Sequence, residues 1–195
     1  MAENKKYEMT DETIEVYGHV LHRIRALKDV WDATTGDLGG FIESESNLSH
    51  DGDCWVYDSA KVCDNARVYD NAKVYGCAEV YGNAAVCDDA KVYDFAKVYD
   101  FARVCENAKV YGSAWVWDDA EVYGYAEVYD SAKVYDFAEV YDEAKVFDRA
   151  KVFDYAEVCE NARVFYDSRV FHREKVTGIK ADHMPPKPAP EEATE

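Results

Sequence analysis

One pattern recurs along the chain in groups of six residues. Two examples are Ala66-Arg67-Val68-Tyr69-Asp70-Asn71 and Ala132-Lys133-Val134-Tyr135-Asp136-Phe137. Each hexad reads small residue, variable residue, Val, aromatic residue, acid and variable residue. The pattern runs through 20 hexads, or 120 residues, from Cys54 to Arg173, and Val holds the third position of every hexad. A fixed six-residue period is the sequence signature of a parallel β-helix. We therefore predict an all-β solenoid.

The hexad positions alternate between the inside and the outside of this solenoid. Positions one and three lie on the same side of a strand, and they are filled by Ala, from Ala60 to Ala162, and by Val. They predict a narrow, dry bore, while positions two and four point outward. Position five is mostly Asp or Gly, which tolerate the tight backbone of a corner. Three hexads close one triangular coil of 18 residues, so the prediction is about 6.7 coils in a rod roughly 32 Å long.

The rest of the chain is assigned to the two ends of the solenoid. Residues 1–53 are predicted to form a small N-terminal β cap and a leading turn, with short strands on either side of Gly18, because a solenoid needs its open end covered. Residues 54–173 form the β-helix. Residues 174–195 contain all 4 prolines, from Pro185 onward, and several acids, so they are predicted to be a disordered, acidic, Pro-rich tail.

The net charge of the chain argues against two classes of binding partner. The 195 residues carry 22 Lys and Arg against 40 Asp and Glu, a formal net charge of −18. Direct binding to nucleic acid or to an anionic membrane needs clustered basic residues, so neither is expected. No stretch reaches the roughly 20 apolar residues of a spanning helix, and the first residues do not resemble a signal peptide. We expect a protein of the cytoplasm.

The hexads resemble the hexapeptide-repeat, left-handed β-helix superfamily, in which a small residue stands two positions before an aliphatic one. The resemblance covers the 120 residues of the hexads and implies a left-handed, single-stranded parallel β-helix. The left hand is implied by the resemblance, since the spacing alone does not determine it. One departure is that the position after the aliphatic residue, usually Gly, Ala, Glu or Asp in the superfamily, is here aromatic or Cys. The resemblance therefore implies the fold and leaves the function open.

A second resemblance lies just before the hexads. It is carried by Gly36-Asp37-Leu38-Gly39-Gly40-Phe41-Ile42-Glu43-Ser44-Glu45, by Asn47-Leu48-Ser49 and by Cys54-Trp55-Val56-Tyr57. These residues are similar to the leading segment of a group of phage- and prophage-borne hexapeptide-repeat proteins of unassigned activity. The resemblance implies a phage or bacterial origin and leaves the function open; with the expected location, it places the protein in the bacterial host cytoplasm.

Histidines argue against an enzyme. The enzymes of the superfamily, mainly acyl- and nucleotidyl-linked transferases and a zinc carbonic anhydrase, rely on histidines on the coils. Of 5 histidines here, only His172 lies in the hexads, at a corner, while His19 and His22 lie in the cap. Three imidazoles that converge on a zinc ion cannot be assembled from the coils. We predict no catalytic residue, no metal site and no cofactor; an acyltransferase-like enzyme with an inter-subunit site is the least favoured alternative.

The cysteines leave one pairing open. Cys87 and Cys105 are 18 residues apart, so they stack one coil above the other, near enough for a disulfide. Reduced thiols that fill aromatic positions are the expected state in an intracellular protein. The sequence contains no C-x-x-C pattern, so it gives no indication of a zinc or redox site.

Aromatic residues at position four form ladders when they are sorted by coil. Each coil contains three hexads, and each hexad contributes to one face. The ladder that begins at Tyr57 lies on the first face, the ladder from Cys63 on the second, and the ladder from Tyr69 on the third. Stacked rings stabilise neighbouring strands, and the Lys columns beside them cover the rings and solvate the face. Stripes of this length also favour a protein interface, including a dimer or trimer of this chain. The candidate self-association residues are Tyr75, Tyr93, Tyr111, Tyr129, Phe147 and Phe165 on the first face, and Tyr99, Trp117, Tyr135, Phe153 and Phe171 on the second.

Acidic residues at position five form columns along the corners. Turn formation and solubility account for such residues, and no calcium-loop pattern is present. Columns of like charge on a rigid rod also suit a basic partner that normally holds phosphate. The candidate partner-binding residues are Asp64, Asp100, Asp118, Asp136 and Asp154 at the second corner, and Asp70, Asp88, Glu106, Asp142 and Glu160 at the third.

The function expected from these features is non-enzymatic binding. The favoured hypothesis is an acidic phage or prophage protein that binds a host or phage protein with a basic, nucleic-acid-binding surface. By presenting its carboxylate columns it would inhibit a host nucleic-acid-handling or defence factor. The alternative is a self-assembling scaffold, a trimer packed through the aromatic faces.

Overall fold

The computed structural model describes residues 5–182. In this range the chain forms strands of two residues at almost every hexad, together with longer strands at both ends and a 3₁₀ helix at Glu45–Asn47. The strands are β1 Tyr7–Val16, β2 His19–Ala26, β3 Leu38–Ile42, β4 Trp55–Val56, β5 Lys61–Val62, β6 Arg67–Val68, β7 Lys73–Val74, β8 Glu79–Val80, β9 Ala85–Val86, β10 Lys91–Val92, β11 Lys97–Val98, β12 Arg103–Val104, β13 Lys109–Val110, β14 Trp115–Val116, β15 Glu121–Val122, β16 Glu127–Val128, β17 Lys133–Val134, β18 Glu139–Val140, β19 Lys145–Val146, β20 Lys151–Val152, β21 Glu157–Val158, β22 Arg163–Tyr166, β23 Arg169–Val170, β24 Lys175–Val176 and β25 Ile179–Asp182.

These strands make three sheets that are the three faces of the solenoid. The first face has the order β25-β22-β19-β16-β13-β10-β7-β4, the second β1-β2-β3-β5-β8-β11-β14-β17-β20-β23, and the third β24-β21-β18-β15-β12-β9-β6. From β3 onward every pairing is parallel and joins residues about one coil apart, as when Val92 pairs with Val74 and Val110. The prediction of an all-β, three-sided parallel solenoid is confirmed.

The bore is filled by the Ala and Val ladders. Every Ala at position one and nearly every Val at position three has no exposed surface, from Ala60 to Val170. Small and β-branched side chains alternate along the strand, so they fill a narrow triangular interior without space for water. Cys54, predicted to point inward, is also fully buried. The inside–outside alternation predicted from the hexads is confirmed.

The solenoid extends beyond the hexads at its N-terminal end. β3 pairs in parallel with β5, and Leu48 forms a parallel bridge to Val68, so the segment assigned to the cap supplies the first coil. Gly40 allows this segment to approach, because a Cβ there would lie 2.6 Å from both the Ala60 carbonyl oxygen and Val56 Cγ1. The glycine therefore stands where the hexads have a larger residue.

The C-terminal end is also longer than predicted. β24 pairs with β21, and β25 pairs with β22, so residues 174–182 belong to the solenoid and correct the predicted start of the tail at residue 174. The rod has about eight coils, which corrects the count of 6.7. Main-chain hydrogen bonds carry the parallel ladder, so it continues where the side-chain pattern fades. The remainder of the predicted disordered tail, 183–195, lies outside the described residues.

The N-terminal cap is an antiparallel hairpin joined to the second face. β1 pairs with β2, and β2 pairs with β3 in antiparallel orientation. Ile14 and Val16 pack against a small cluster formed by Leu21, Phe41 and Cys63. The two strands predicted around Gly18 are confirmed, and they are longer than expected. Within residues 5–182 no helix has the length and apolarity needed to span a bilayer.

Candidate functional site: the acidic corners and aromatic faces

The corner acids adopt left-handed backbone conformations. Asp118, Asp136 and Asp154 have φ of 55°, 57° and 59°, a region that Asp, Asn and Gly tolerate better than other residues. This explains why position five alternates between acid and Gly along a column. The turn therefore favours Asp and Gly at most corners, while Glu106, Tyr166 and His172 adopt the same conformation.

Most corner carboxylates are also hydrogen-bonded to the coil that follows. Asp136 Oδ2 accepts the backbone N–H of Asp154 at 3.1 Å, and Asp154 Oδ2 accepts that of His172 at 3.1 Å. Seven of the ten predicted partner-binding acids make this bond, so the columns are hydrogen-bond ladders between coils. They are Asp64, Asp88, Glu106, Asp118, Asp136, Asp142 and Asp154. This role was not predicted, although the recurrence of a short acid at one fixed position of most hexads is a signal for it.

The hydrogen bonds explain how the columns tolerate like charges at strand spacing. Each backbone N–H places a partial positive charge between two successive carboxylates, and a hydrogen bond to a charged acceptor contributes about 1.5–3 kcal/mol. The bond also holds the side chain in one rotamer. The carboxylates are thus ordered before any partner arrives, which lowers the entropy cost of binding them.

The second corner has the longest unbroken acidic run. Its position-five residues, Asp100, Asp118, Asp136 and Asp154, occupy four successive coils after Gly82. The third corner is interrupted at Gly124, which separates Asp70, Asp88 and Glu106 from Asp142 and Glu160. The second corner therefore presents the more regular charge.

Exposed aromatic side chains stand beside the second-corner acids at position six. Phe101, Phe137 and Tyr155 are 59%, 51% and 56% exposed, and the rings of Phe137 and Tyr155 stack with centroids 5.0 Å apart. These residues were not predicted, because position six varies from one hexad to the next. They form a visible column only when position six is sorted by coil.

The aromatic ladder of the first face is a continuous stack. Tyr75, Tyr93, Tyr111 and Tyr129 stack with centroids 4.6–4.9 Å apart and rings within 5° of parallel, and the stack continues through Phe147 to Phe165. Because each ring covers its neighbours, the tyrosines show mainly their edges and are only partly exposed. The stacking predicted for this ladder is confirmed, and its use as an interface stays a prediction.

The second-face ladder is partly covered by the cap. Tyr17 at the hairpin tip packs on Tyr81 with ring centroids 6.1 Å apart. Lys97 Nζ donates a hydrogen bond to the Tyr17 hydroxyl at 3.1 Å. Beyond this contact, Tyr99, Trp117, Tyr135, Phe153 and Phe171 stack in succession without cover from the described part of the chain. The open part of this ladder therefore adjoins the acidic second corner.

Burial changes the acidity of the stacked tyrosines. It raises the pKa of Tyr93 to about 12, with a smaller contribution from neighbouring Tyr75, and that of Tyr81 to about 12, with Tyr99 adding to the effect. The hydroxyl groups therefore stay neutral and act as hydrogen-bond donors, as Tyr123 does to Glu139 at 2.8 Å. The ladders contribute no ionisable group near neutral pH.

The third face corrects the expectation for the cysteines. Cys87 and Cys105 form a disulfide, with Cα atoms 4.7 Å apart. The expected reduced thiols are therefore wrong for this pair, because neighbouring parallel strands bring the two side chains together in register. Cys54, Cys63, Cys77 and Cys159 are free thiols.

A histidine links the cap to the first coils. His19 Nδ1 lies 3.0 Å from Glu43 Oε1, and its Nε2 lies 3.3 Å from Asp64 Oδ1. The hydrogen bond to Glu43 raises the pKa of His19, and the same bond lowers the pKa of Glu43. These three residues are close enough to hold a metal ion, but both imidazole nitrogens already face carboxylates, which describes an ion-pair bridge. Cys87, Asp88 and Cys105 also lie close enough together to hold a metal ion, but the disulfide leaves neither sulfur as a thiolate ligand.

Comparison with known proteins supports the class of the fold. A family model described as the YdcK beta solenoid repeat matches residues 60–76, a stretch just short of one coil. No curated protein matches the chain. The fold and this match together define a β-solenoid repeat protein, a class consistent with a structural or binding role.

Proposed function

We propose that the protein is a non-enzymatic binding solenoid whose second corner docks on a basic surface of another protein. One observation carries the proposal: the carboxylates of Asp118, Asp136 and Asp154, each hydrogen-bonded to the next coil, form one column with Asp100 beside the exposed rings of the same edge. Aromatic residues are preferred anchors at the centre of interfaces. Fixed charges around them steer the partner and set its orientation.

The charge of the rod fits a partner that normally handles nucleic acid. About eight coils at strand spacing give a length of roughly 38 Å. Residues 5–182 carry 36 Asp and Glu against 21 Lys and Arg, which corresponds to roughly one net negative charge per 2.5 Å of rod, against about one per 1.7 Å of B-DNA. We propose that the protein inhibits a host factor of this kind in the bacterial cytoplasm, as a protein of phage or prophage origin.

The test replaces charge without removing the corner hydrogen bonds. Asn retains an acceptor oxygen and tolerates positive φ, so Asp→Asn at positions 100, 118, 136 and 154 removes four charges and leaves the turns intact. A matched control makes the same four changes at the first corner, at Asp58, Asp94, Asp130 and Asp148, which adopt the same conformation and accept the same bonds.

Tagged wild-type and variant proteins are used to capture partners from nuclease-treated bacterial lysate, with washes at low and high salt. We expect a stoichiometric partner that is lost at high salt, lost from the second-corner variant and retained by the first-corner variant. Retention at high salt, or equal loss from both variants, would contradict the second-corner proposal.

Self-assembly is the second candidate function. It is favoured by the first-face ladder, whose later rungs, Phe147 and Phe165, lack the hydroxyl of the tyrosines and are uncovered by the cap. Light scattering over a range of concentrations tests it. A mass that stays at 22.2 kDa throughout would rule out a trimer through this face.

A further inference from the structure

A groove runs along the edge where the third corner meets the first face. Lys73, Lys91 and Lys109, at position two of successive coils, line one wall of this groove, whose volume is about 360 Å³. Trp31, from the turn after the cap hairpin, Tyr125 and Glu127 line it together with these lysines. Neither the acidic second corner nor the aromatic ladders take part in it.

One ammonium group of the basic wall, that of Lys91, makes no ion pair with residues 5–182. Lys73 has Asp32 at 4.0 Å and the Trp31 ring centroid at 4.1 Å, and Lys109 pairs with Glu127 at 3.2 Å. Lys91 lies in register between these two lysines, and no carboxylate of residues 5–182 is within ion-pair distance of it. Its charge is thus placed between two like charges at strand spacing, an arrangement that a bound anion would stabilise.

The opposite wall offers both donors and acceptors. It is formed by Asn71, Asp89 and Asn107 at position six of the third corner. Asn71 Nδ2 donates to Asp89 Oδ1 at 3.3 Å, which leaves the other carboxylate oxygen and the Asn107 amide facing the groove. Mixed donors and acceptors at short intervals suit a ligand rich in hydroxyl groups, each of which both donates and accepts.

Two exposed rings stand at the ends of the groove. Trp31 is 61% exposed and Tyr125 is 65% exposed. Trp31 has a φ of 50°, a conformation that costs a bulky residue of order 1–3 kcal/mol. If this position only had to form a turn, Gly or Asn would adopt its backbone conformation with less strain. The chain accepts a strained backbone and thereby holds an indole ring beside the lysines, which indicates that the ring has a role.

The dimensions and charge select one class of ligand. The ends are three strand spacings apart, roughly 14 Å. Duplex DNA of this length carries about eight negative charges, far more than three lysines offset in a chain of net charge −18. A neutral glycan would leave Lys91 unpaired. We propose that the groove binds a short acidic oligosaccharide, with a sugar carboxylate at Lys91, hydroxyl groups along the amide wall and sugar rings against Trp31 and Tyr125.

Calorimetric titration of the intact protein tests this site. The acidic probes are trigalacturonate, sialyllactose and a hyaluronan tetrasaccharide; maltotriose and a single-stranded oligonucleotide are the comparisons. We expect saturable binding of at least one acidic probe and none of maltotriose. Lys91→Gln should weaken that binding about tenfold or more, and Tyr125→Ala should also weaken it.

Lys151→Gln is the matched control. Lys151 occupies position two of the second face between Lys133 and Arg169, so the change in charge is the same while the groove is untouched. Binding by Lys151→Gln should equal that of the wild type. The proposal is overturned if none of the acidic probes binds at millimolar concentration, if the two lysine variants lose affinity equally, if maltotriose binds as tightly, or if the oligonucleotide binds more tightly.

Discussion

Asp136 Oδ2 accepts the backbone N–H of Asp154, the residue 18 positions later and one coil further along the rod, at 3.1 Å. Asp136 itself has a φ of 57°. One small acidic side chain therefore permits the left-handed corner and also satisfies an N–H of the next corner. The acidic columns stabilise the solenoid through these bonds, and their charge is then available to a partner.

Replacing Asp136 separates these two contributions. Asp136→Ala should lower the free energy of unfolding by about 2 kcal/mol, because it loses one hydrogen bond and because Ala tolerates positive φ less well than Asp. Asp136→Gly, which keeps the conformational freedom, should cost about 1 kcal/mol. Asp136→Asn should stay within about 0.5 kcal/mol of the wild type. Urea unfolding followed by circular dichroism measures all three.

Asp119→Ala is the control for this series. Asp119 lies at the same corner but at position six, is exposed and makes no hydrogen bond with the described residues. It should be neutral. A cost for Asp119→Ala equal to that of Asp136→Ala would show that only the loss of negative charge matters.

Thiol labelling tests the disulfide between Cys87 and Cys105. Alkylation in denaturant without reductant should modify 4 of the 6 cysteines, and prior reduction should expose all 6. Closing an 18-residue loop should stabilise the fold by about 3 kcal/mol. The Cys87→Ser, Cys105→Ser double variant should therefore unfold at lower urea than the oxidised wild type and match the reduced wild type. Six modified cysteines without reductant would contradict the pairing.

The His19 bridge predicts how cap docking depends on pH. The pKa of His19 is raised, so its contribution is present below its unfolded value, about 6.5, and is lost as pH rises through its folded pKa. The pKa of Glu43 is lowered, so its contribution is present above its unfolded value, about 4.3, and is lost as pH falls through its folded pKa. Docking should be strongest between about pH 4.5 and 6.5.

Hydrogen exchange of the β1 and β2 amides, corrected for intrinsic rates, measures that profile. His19→Gln should remove its high-pH limb. His22→Gln is the control, since His22 Nδ1 lies 3.1 Å from the Thr10 carbonyl oxygen and His22 makes no ion pair with residues 5–182. A profile unchanged in His19→Gln would assign the pH dependence to other groups.

A buried lysine should stabilise the N-terminal end of the bore. Lys6 is fully buried, and its Nζ donates to the Cys54 and Gly52 carbonyl oxygens at 2.8 and 3.2 Å. Lys6→Met keeps the volume but leaves these oxygens without a donor, so we expect a loss of about 1–3 kcal/mol. Lys5→Met, one residue earlier at a partly exposed site, should cost less. Thermal unfolding compares the two, and equal midpoints would show that the donor is dispensable.

Local regularity made most of the solenoid predictable. The six-residue period, with Ala at position one and Val at position three, determined the strand faces, the dry bore and the stacking of rings such as Tyr93 on Tyr111, since each depends on residues at fixed separations. The same period did not reveal the ends of the rod. There, Leu38–Ile42 and Ile179–Asp182 continue the ladder through main-chain hydrogen bonds, which leave little trace in side-chain identity.

The sequence by itself determined the coil, its inward and outward faces and the acidic and aromatic columns, because a repeat converts spacing directly into position. Only the tertiary structure decided what those columns do to one another. It showed that Asp136 accepts an amide of the next coil, that Cys87 reaches Cys105, that Tyr17 covers Tyr81, and that Trp31 stands beside Lys73. The last two contacts join residues from the non-repeating cap to the coils. The Asp136 contact depends on side-chain conformation, which the hexad pattern does not encode. The 18-residue spacing placed Cys87 next to Cys105, and only the structure decided that the two are bonded.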